Sequence, residues 1–224
     1  MPYTKRILCL ASSYKFGGRC IAGREFANNQ LQDWVRPISS RPSHEINGLE
    51  MSYRGGGSAS VLHYIDISFS HPSPINFQTE NHVIDGAKWR FSSQESFAGA
   101  MNAVDQINGP LWLNGHSSYH GLNDQVPVNL ANQQTSSIIL IQPQSVIVQV
   151  ANESRFGGGT VRKVRCAFSY SGYDYVLSVT DPIALSRYGQ AVGHYPLPNA
   201  LLCVSFGEPY HGFAYKLVAS IITP

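Results

Sequence analysis

The sequence VRKVRCAFSYSGYDYVLSVTDP, at residues 161–182, contains the clearest structural signal in the chain. Two runs in which apolar and polar residues alternate flank Ser171-Gly172, a dipeptide typical of a tight turn. The pattern predicts an antiparallel hairpin with a buried face. Closing the hairpin through Ser171-Gly172 predicts four pairs on the core face. These are Tyr170 with Tyr173, Phe168 with Tyr175, Cys166 with Leu177, and Val164 with Val179.

The hairpin also combines aromatic and basic residues, which is typical of small β-barrels that bind single-stranded nucleic acid. In the predicted register, however, the aromatic residues face the core, while Lys163 and Arg165 lie on the opposite side. We therefore interpret the hairpin as the spine of a second barrel that displays a modest basic edge at Lys163 and Arg165.

The remainder of the chain is also mainly β. Residues 6–11 and 19–26 flank a turn-rich segment and predict an N-terminal hairpin. Residues 34–39 predict a third strand, in which Pro37 requires an edge or a bulge because proline cannot donate to a ladder. Residues 61–69 alternate and predict a strand with one apolar face. Later strands are predicted at residues 137–141, 145–150, 201–206 and 215–222.

Two helices are predicted. Ser92 and Glu95 have the spacing of a capping box, and apolar residues recur at helical intervals until Gly109-Pro110. Asp181-Pro182 predicts a short helix over residues 183–188. The long helix separates two sets of strands, so we expect a first domain at residues 1–110 and a second at 111–224. The alternative is that the two barrels are interwoven in sequence.

Composition limits the classes of function. Charged residues make up 13% of the chain, about half of the usual ~25%, and such a surface favours contacts with a partner. The net charge of +2 and a pI near 8.3 are weak for a nucleic-acid-binding protein, for which a pI above about 9 is typical. The four cysteines form no CxxC pair, and neither a secretory leader nor a membrane segment is recognised, so we expect reduced thiols in a cytoplasmic protein without membrane contact.

No motif for catalysis is recognised. Three glycine-rich segments lie beside arginines, at residues 16–19, 54–57 and 156–159, yet none matches a P-loop or a dinucleotide fingerprint. His116 and His120 are four residues apart, but the glycines and serines around them disfavour the helix that a metal site would need. We expect no enzyme activity, no catalytic residue, no metal and no cofactor. An unrecognised enzyme that acts on nucleotides or nucleic acid stays an alternative only if the glycine-rich loops and Glu208 converge in space.

Two loops contain the strongest candidates for binding. Lys15, Arg19 and Arg24 surround the first glycine-rich segment, directly after a predicted strand. The last predicted hairpin contains Glu208, Tyr210 and His211, and surface loops on a β scaffold are frequent binding sites. The alternative interpretation of both loops is a solvated turn, and a recognition site is expected to include both of them.

Several of these segments together resemble the bacterial dual OB-containing domain family, from near residue 5 to near residue 222. The resemblance implies two OB-like β-barrels with one intervening helix, and an association with prokaryotic conflict or anti-phage systems, in which nucleic-acid sensing is the usual suggestion. It implies no catalytic residue. The segments that carry the resemblance are RILCLASSYK at residues 6–15, GGRCIAG at 17–23, WVRP at 34–37, EN at 80–81, TDP at 180–182 and CVSFGEP at 203–209.

The sequence thus predicts a non-enzymatic binding module that recognises single-stranded DNA, RNA or a nucleotide in a prokaryotic defence system. The alternative is a protein-interaction subunit, which docks on an effector nuclease or ATPase of a defence complex and binds no nucleic acid itself. The candidate contact residues are Tyr14, Lys15, Arg19, Arg24, Trp34, Arg36, Lys163, Arg165, Glu208, Tyr210 and His211.

Overall fold

A computed structural model describes residues 1–154 and 158–224 of the chain. The chain is mainly β, as predicted, and forms two compact units. Met1–Ala103 and Thr135–Ile138 form the first unit, and Val104–Gln134 and Ile139–Pro224 form the second. The sequence predicted a single boundary near residue 110, whereas the first unit also takes in a short segment from further along the chain.

Five strands of the first unit close into a barrel. Their order is β1-β2-β3-β5-β4, and β4 pairs back to β1. The β3–β5 pair is parallel and the others are antiparallel. This five-stranded Greek-key barrel is the architecture of an OB fold. A sixth strand, β6, pairs with β4. The strands are β1 (Tyr3–Lys15), β2 (Gly18–Ala27), β3 (Gln30–Ile38), β4 (His63–Pro72), β5 (Asn81–Ile84) and β6 (Arg90–Gln94).

The interior of the first barrel is filled by residues that alternate along its strands. Ile65, Ile67 and Phe69 of β4 are fully buried, which confirms the predicted apolar face. Pro37 lies where β3 no longer pairs with β2: that pairing reaches Val35, and the pairing with β5 includes Pro37. The proline is thus at a local edge, where its missing N–H breaks no ladder bond.

The second unit repeats this strand order around a second barrel. The path β9-β10-β11-β14-β13-β8 contains one parallel pair, β11–β14. Because β8 and β9 are separated by only three residues, they act as two halves of one bent strand that closes the ring. β12 pairs with β9, and β7 pairs with β14. The strands are β7 (Gln125–Pro127), β8 (Ile138–Ile141), β9 (Ser145–Ser154), β10 (Thr160–Tyr170), β11 (Tyr173–Val179), β12 (Gly193–Leu197), β13 (Leu201–Phe206) and β14 (Phe213–Ile222).

The hairpin of β10 and β11 has the predicted register from the Tyr170–Tyr173 pair to Cys166–Leu177. Its turn residues, Ser171 and Gly172, have φ of 51° and 81°, as a two-residue primed turn requires. The core face is buried as predicted, except at the tip, where Tyr173 is 41% exposed. Beyond the hairpin, Val179 pairs with Val218 of β14.

The prediction of a long helix from Ser92 is wrong. Residues 90–94 form β6, and a four-residue helix, α1 (Phe97–Ala100), follows, with Ser96 as its N-cap, before a 3₁₀ turn at Met101–Ala103. At residues 92–94, the pairing of β6 with β4 outweighs the local helical pattern. Two other helices are α2 (Val128–Ala131) and α3 (Pro182–Tyr188), the second of which was predicted. In the described part of the chain, no helix combines the length and apolar character that a membrane span requires.

Candidate nucleic-acid interface

The tip of the β1–β2 hairpin is a two-residue turn, Phe16-Gly17, with φ of 45° and 87°. The turn predicted for residues 12–18 is therefore too long. A register shift between Cys9 and Ala11 lets β1 continue to Lys15, so Tyr14 and Lys15 lie at the end of a strand. OB folds bind oligonucleotides and oligosaccharides with strands 2 and 3 and with the loops between strands 1 and 2 and between strands 4 and 5.

Aromatic and cationic side chains meet at this tip. Phe16 is 73% exposed and Tyr14 is 53% exposed. The guanidinium carbon of Arg19, which pairs with Tyr14 across the hairpin, lies 4.2 Å from the centre of its ring. Such a cation–π contact holds the charge beside an exposed aromatic surface. Phe16 was not among the candidate contact residues, although an aromatic residue in front of Gly-Gly in a predicted turn has no strand partner to bury it.

The segment that follows β3 forms backbone hydrogen bonds with the base of the hairpin tip. The backbone N–H groups of Arg19 and Ile46 each donate to the carbonyl oxygen of the other at 2.8 Å. A Cβ added to Gly18 would lie 2.7 Å from the Ile46 carbonyl oxygen, so this close approach needs glycine. Arg41 in turn holds the segment through ion pairs with Glu45 and Glu50. The aromatic tip is thus presented by a fixed backbone.

Arg24 and Trp34 form a pair between β2 and β3, below the tip. The guanidinium carbon of Arg24 lies 4.9 Å from the centre of the Trp34 ring, and one of its N–H groups donates to the Gln32 carbonyl at 3.1 Å. Trp34 is only 7% exposed. Trp34 is one of the candidate contact residues, but its ring is covered by the protein and offers no open face to a base.

Arg36 is placed as a structural residue rather than a phosphate contact. It is 3% exposed, and its guanidinium lies 3.0 Å from the Glu80 carboxylate and donates to the Ser137 hydroxyl at 2.8 Å. Ser137 itself donates to Glu80. A buried ion pair needs such additional hydrogen bonds to offset desolvation. A phosphate could reach Arg36 only by breaking this cluster, so the prediction for Arg36 is contradicted.

The basic edge predicted for the second barrel is largely neutralised. Arg165 donates to both carboxylate oxygens of Glu153, at 2.6 and 2.9 Å, and to Ser178 at 3.1 Å. The hydrogen bonds from Arg165 hold the pKa of Glu153 below its usual value. Lys163, which is exposed, is the part of the predicted edge that faces solvent.

The β13–β14 loop, between the fourth and fifth strands of the second barrel, presents another aromatic tip. His211 and Gly212 form its turn, with φ of 48° and 83°. Tyr210 is 63% exposed, and its ring meets His211 edge-on at 4.1 Å. Glu208 is also exposed. This loop belongs to the second unit, whereas the Phe16 tip belongs to the first.

Cys9 and Cys166 are both fully buried. Burial raises the pKa of Cys9 and of Cys166 to about 12, which keeps both thiols protonated. No group of three or more His, Cys, Asp or Glu side chains there could hold a metal ion. Of the three glycine-rich segments, the one that begins at Phe156 lies partly outside the described residues.

Lys216 of β14, which was also not among the predicted functional residues, is fully buried. Its ammonium group donates to the Leu113 carbonyl at 2.6 Å and to the Asn114 amide oxygen at 2.9 Å, and lies 5.3 Å from the centre of the Tyr175 ring. Burial lowers the pKa of Lys216 to about 7, against the opposing charge of Asp124. The period of the strand indicated this position, because the flanking inward residues are apolar.

Comparison with known proteins agrees with this topology. The family model for the dual OB-containing domain matches residues 5–221. No curated protein and no solved structure is significantly similar to the chain. The match covers both barrels and nearly the full sequence, and the chain belongs to the dual OB-containing domain family.

Proposed function

We propose that the protein is a non-enzymatic module that binds single-stranded nucleic acid through the hairpin tip of its first barrel. The observation that carries the proposal is the exposure of Tyr14 and Phe16 beside Lys15 and Arg19. This tip is the loop between the first two strands of the barrel, which OB folds use for oligonucleotides. The aromatic rings would stack on bases, and the two cations would contact the backbone phosphates.

The expected binding is modest. Base stacking on an aromatic side chain contributes about 1–3 kcal/mol per base, and the tip offers two such rings. Two phosphate contacts to a single strand predict a salt slope near −1.4 in log K against log salt concentration. Sequence preference is expected to be weak, because stacking tolerates every base.

Fluorescence anisotropy with a labelled oligo(dT) and an oligo(U) tests the proposal. Phe16→Ala and Tyr14→Ala are each expected to weaken binding by about 1–3 kcal/mol, or roughly 5- to 150-fold. Tyr119→Ala is the matched control, because Tyr119 is 88% exposed in the second unit and lies outside the proposed surface. Equal affinity of the Phe16 and control variants, or binding that is insensitive to salt, would contradict the proposal.

The protein-interaction subunit is the second candidate, and the pairing of charges favours it. Several arginines are occupied by carboxylates inside their own unit, which leaves less positive surface for a phosphate backbone. The pairs are Arg6 with Asp66, Arg36 with Glu80, Arg41 with Glu45 and Glu50, and Arg165 with Glu153. Co-purification of a nuclease or ATPase that is lost in Tyr210→Ala, together with no oligonucleotide binding, would select this candidate.

We also propose that the module acts in the cytoplasm as part of a prokaryotic defence system, as the resemblance implies. In a host that carries the gene and its neighbours, deletion is expected to raise the plating efficiency of phage. Complementation with Phe16→Ala should fail where complementation with the control variant Tyr119→Ala succeeds, if nucleic-acid binding by the tip is the sensing step.

A further inference from the structure

The first unit contains a second concave site, away from the hairpin tip. A cavity of about 600 Å³ lies between the segment after β3 and the start of β6, and it shares no residue with the Phe16 tip. The Arg54 backbone N–H donates to the Trp89 carbonyl at 2.9 Å, which fixes Arg54 beside Arg90. The lining residues are Tyr53, Arg54, Gly55, Gly56, Arg90 and Phe91.

The charges at this cavity are not neutralised locally. Arg54 and Arg90 are both exposed, and neither forms an ion pair with any residue that the structure describes. Arg90 lies opposite Asp66 in the β4–β6 register, but the Asp66 carboxylate already accepts bonds from Arg6 at 2.6 and 3.1 Å. Two exposed arginines that line one cavity, without a carboxylate partner among the described residues, favour an anion that can accept hydrogen bonds from both.

The glycine segment leaves the cavity wall accessible to a ligand. Gly56 has φ of 93°, and its N–H donates to the Tyr53 carbonyl at 3.2 Å, which closes a tight turn. A Cβ added to Gly55 or Gly56 would meet nothing within 4 Å. A ligand can therefore approach this backbone closely, as phosphate groups do in glycine-rich loops.

An aromatic ring forms the other side of the cavity. Phe91 is 48% exposed, and its buried side packs against His63 at 4.9 Å and Tyr53 at 5.7 Å between ring centres. The Tyr53 hydroxyl and His63 Nδ1 lie 2.7 Å apart, and burial lowers the pKa of His63, so the imidazole is neutral at pH 7. The remaining face of Phe91 is a supported, uncharged platform for a planar ring.

We propose that this cavity binds a phosphorylated nucleoside, with Arg54 and Arg90 on the phosphate and Phe91 stacked on the base. The ligand chemistry is shared by a free nucleotide and by the 5′-phosphorylated end of a strand. The site is additional to the hairpin tip and does not depend on it. Arginine pairs suit phosphate because each guanidinium can donate two parallel hydrogen bonds.

Isothermal titration calorimetry on the full chain tests the site with AMP, adenosine and inorganic phosphate. AMP is expected to bind at least about tenfold more tightly than either part alone, because both the charged and the aromatic contacts are made only by the whole molecule. Arg54→Gln and Arg90→Gln should each weaken AMP binding by about tenfold or more. Arg162→Gln is the matched control, since Arg162 lies in the second unit.

A short oligonucleotide with a 5′-phosphate, compared with the same oligonucleotide ending in a hydroxyl, identifies the source of the ligand. Binding of the phosphorylated oligonucleotide alone assigns the site to strand ends, and binding of AMP assigns it to free nucleotides. Tyr119→Ala, at an exposed residue outside both proposed sites, should leave AMP binding unchanged. The proposal is overturned if neither phosphorylated probe binds, if adenosine binds as well as AMP, or if both arginine variants bind like wild type.

Discussion

The buried ammonium group of Lys216 links the stability of the second barrel to pH. In the unfolded chain a lysine has a pKa near 10.4, whereas burial lowers the pKa of Lys216 to about 7 in the folded chain. Between these two values the unfolded state binds more protons than the folded state, so the free energy of unfolding rises with pH. Below about pH 7 both states carry the charge, and the dependence on this residue disappears.

Urea unfolding at pH 7 and pH 9 measures this linkage. The free energy of unfolding is expected to rise by about 2 kcal/mol across this range through Lys216 alone. Lys216→Met removes the titrating group and should abolish that increment, although it leaves the Leu113 carbonyl without its donor. Parallel pH profiles for wild type and variant would show that Lys216 keeps an ordinary pKa in the folded state.

Arg36 and Arg165 show that a sequence does not reveal which basic residues are neutralised by carboxylates from other segments of the chain. Both were candidate contact residues because basic residues on predicted strands resemble an electrostatic surface. Their carboxylate partners, Glu80 and Glu153, lie on other segments of the chain, and no local pattern connects them. Exposure of Tyr14, by contrast, followed from its place within the predicted turn.

The N-cap residue of α3, Asp181, stabilises both its own helix and the attachment of that helix to β14. Asp181 Oδ1 accepts from the N–H groups of Ile183 and Ala184 at 2.8 and 3.2 Å. Its other oxygen, Oδ2, accepts from the Ile221 N–H of β14 at 2.8 Å. The residue is 5% exposed, so the carboxylate joins the helix to the barrel in a dry environment.

Asp181→Ala is expected to lower the free energy of unfolding by about 2–4 kcal/mol, because it leaves buried N–H groups without an acceptor. Ser96→Ala removes the matched cap of α1, whose single bond to the Gly99 N–H is exposed, and should cost about 1 kcal/mol or less. Urea denaturation of both variants provides the comparison. Equal losses would show that the bond to Ile221 adds nothing to the cap.

Elements were predictable where their signals were local. The Ser171-Gly172 turn and the Asp181-Pro182 cap depend on neighbouring residues, and both were predicted at the correct positions. The helix predicted from Ser92 failed at its start because residues 92–94 belong to β6, which pairs with β4 some thirty positions earlier in the chain. The Phe16-Gly17 turn was predicted at the correct place but over too many residues, because no sequence pattern marks the bulge that extends β1.

The two barrels share one strand order although the sequence shows no convincing repeat. In each, the closing pair joins strands that are distant in the chain, β1 with β4 and β8 with β13. Hydrophobic periodicity identifies strands but not such partners, so barrel closure was predicted only through the family resemblance. The division of the second barrel's first strand into β8 and β9 likewise follows from closure, because one strand must pair on both sides.

The first unit is discontinuous in sequence, and this determines which fragments of the protein fold well. Ser137 belongs to the returning segment Thr135–Ile138, and it bonds both Arg36 and Glu80 in the buried cluster. A fragment that ends at residue 110, the boundary predicted from sequence, lacks this hydroxyl. In that fragment the ion pair of Arg36 and Glu80 lacks its hydrogen bonds with Ser137. The loss lowers the free energy of unfolding by about 1–3 kcal/mol.

A fragment of residues 1–138 is therefore expected to melt several degrees above a fragment of residues 1–110, since 1 kcal/mol shifts Tm by about 4–8 °C in a domain of this size. Circular dichroism melts of the two fragments measure the difference. Ser137→Ala in the longer fragment is the matched control and should remove much of the advantage, because it deletes only the hydroxyl. If the two fragments melt together, the returning segment contributes nothing to the first barrel and residue 110 is an adequate boundary for its stability.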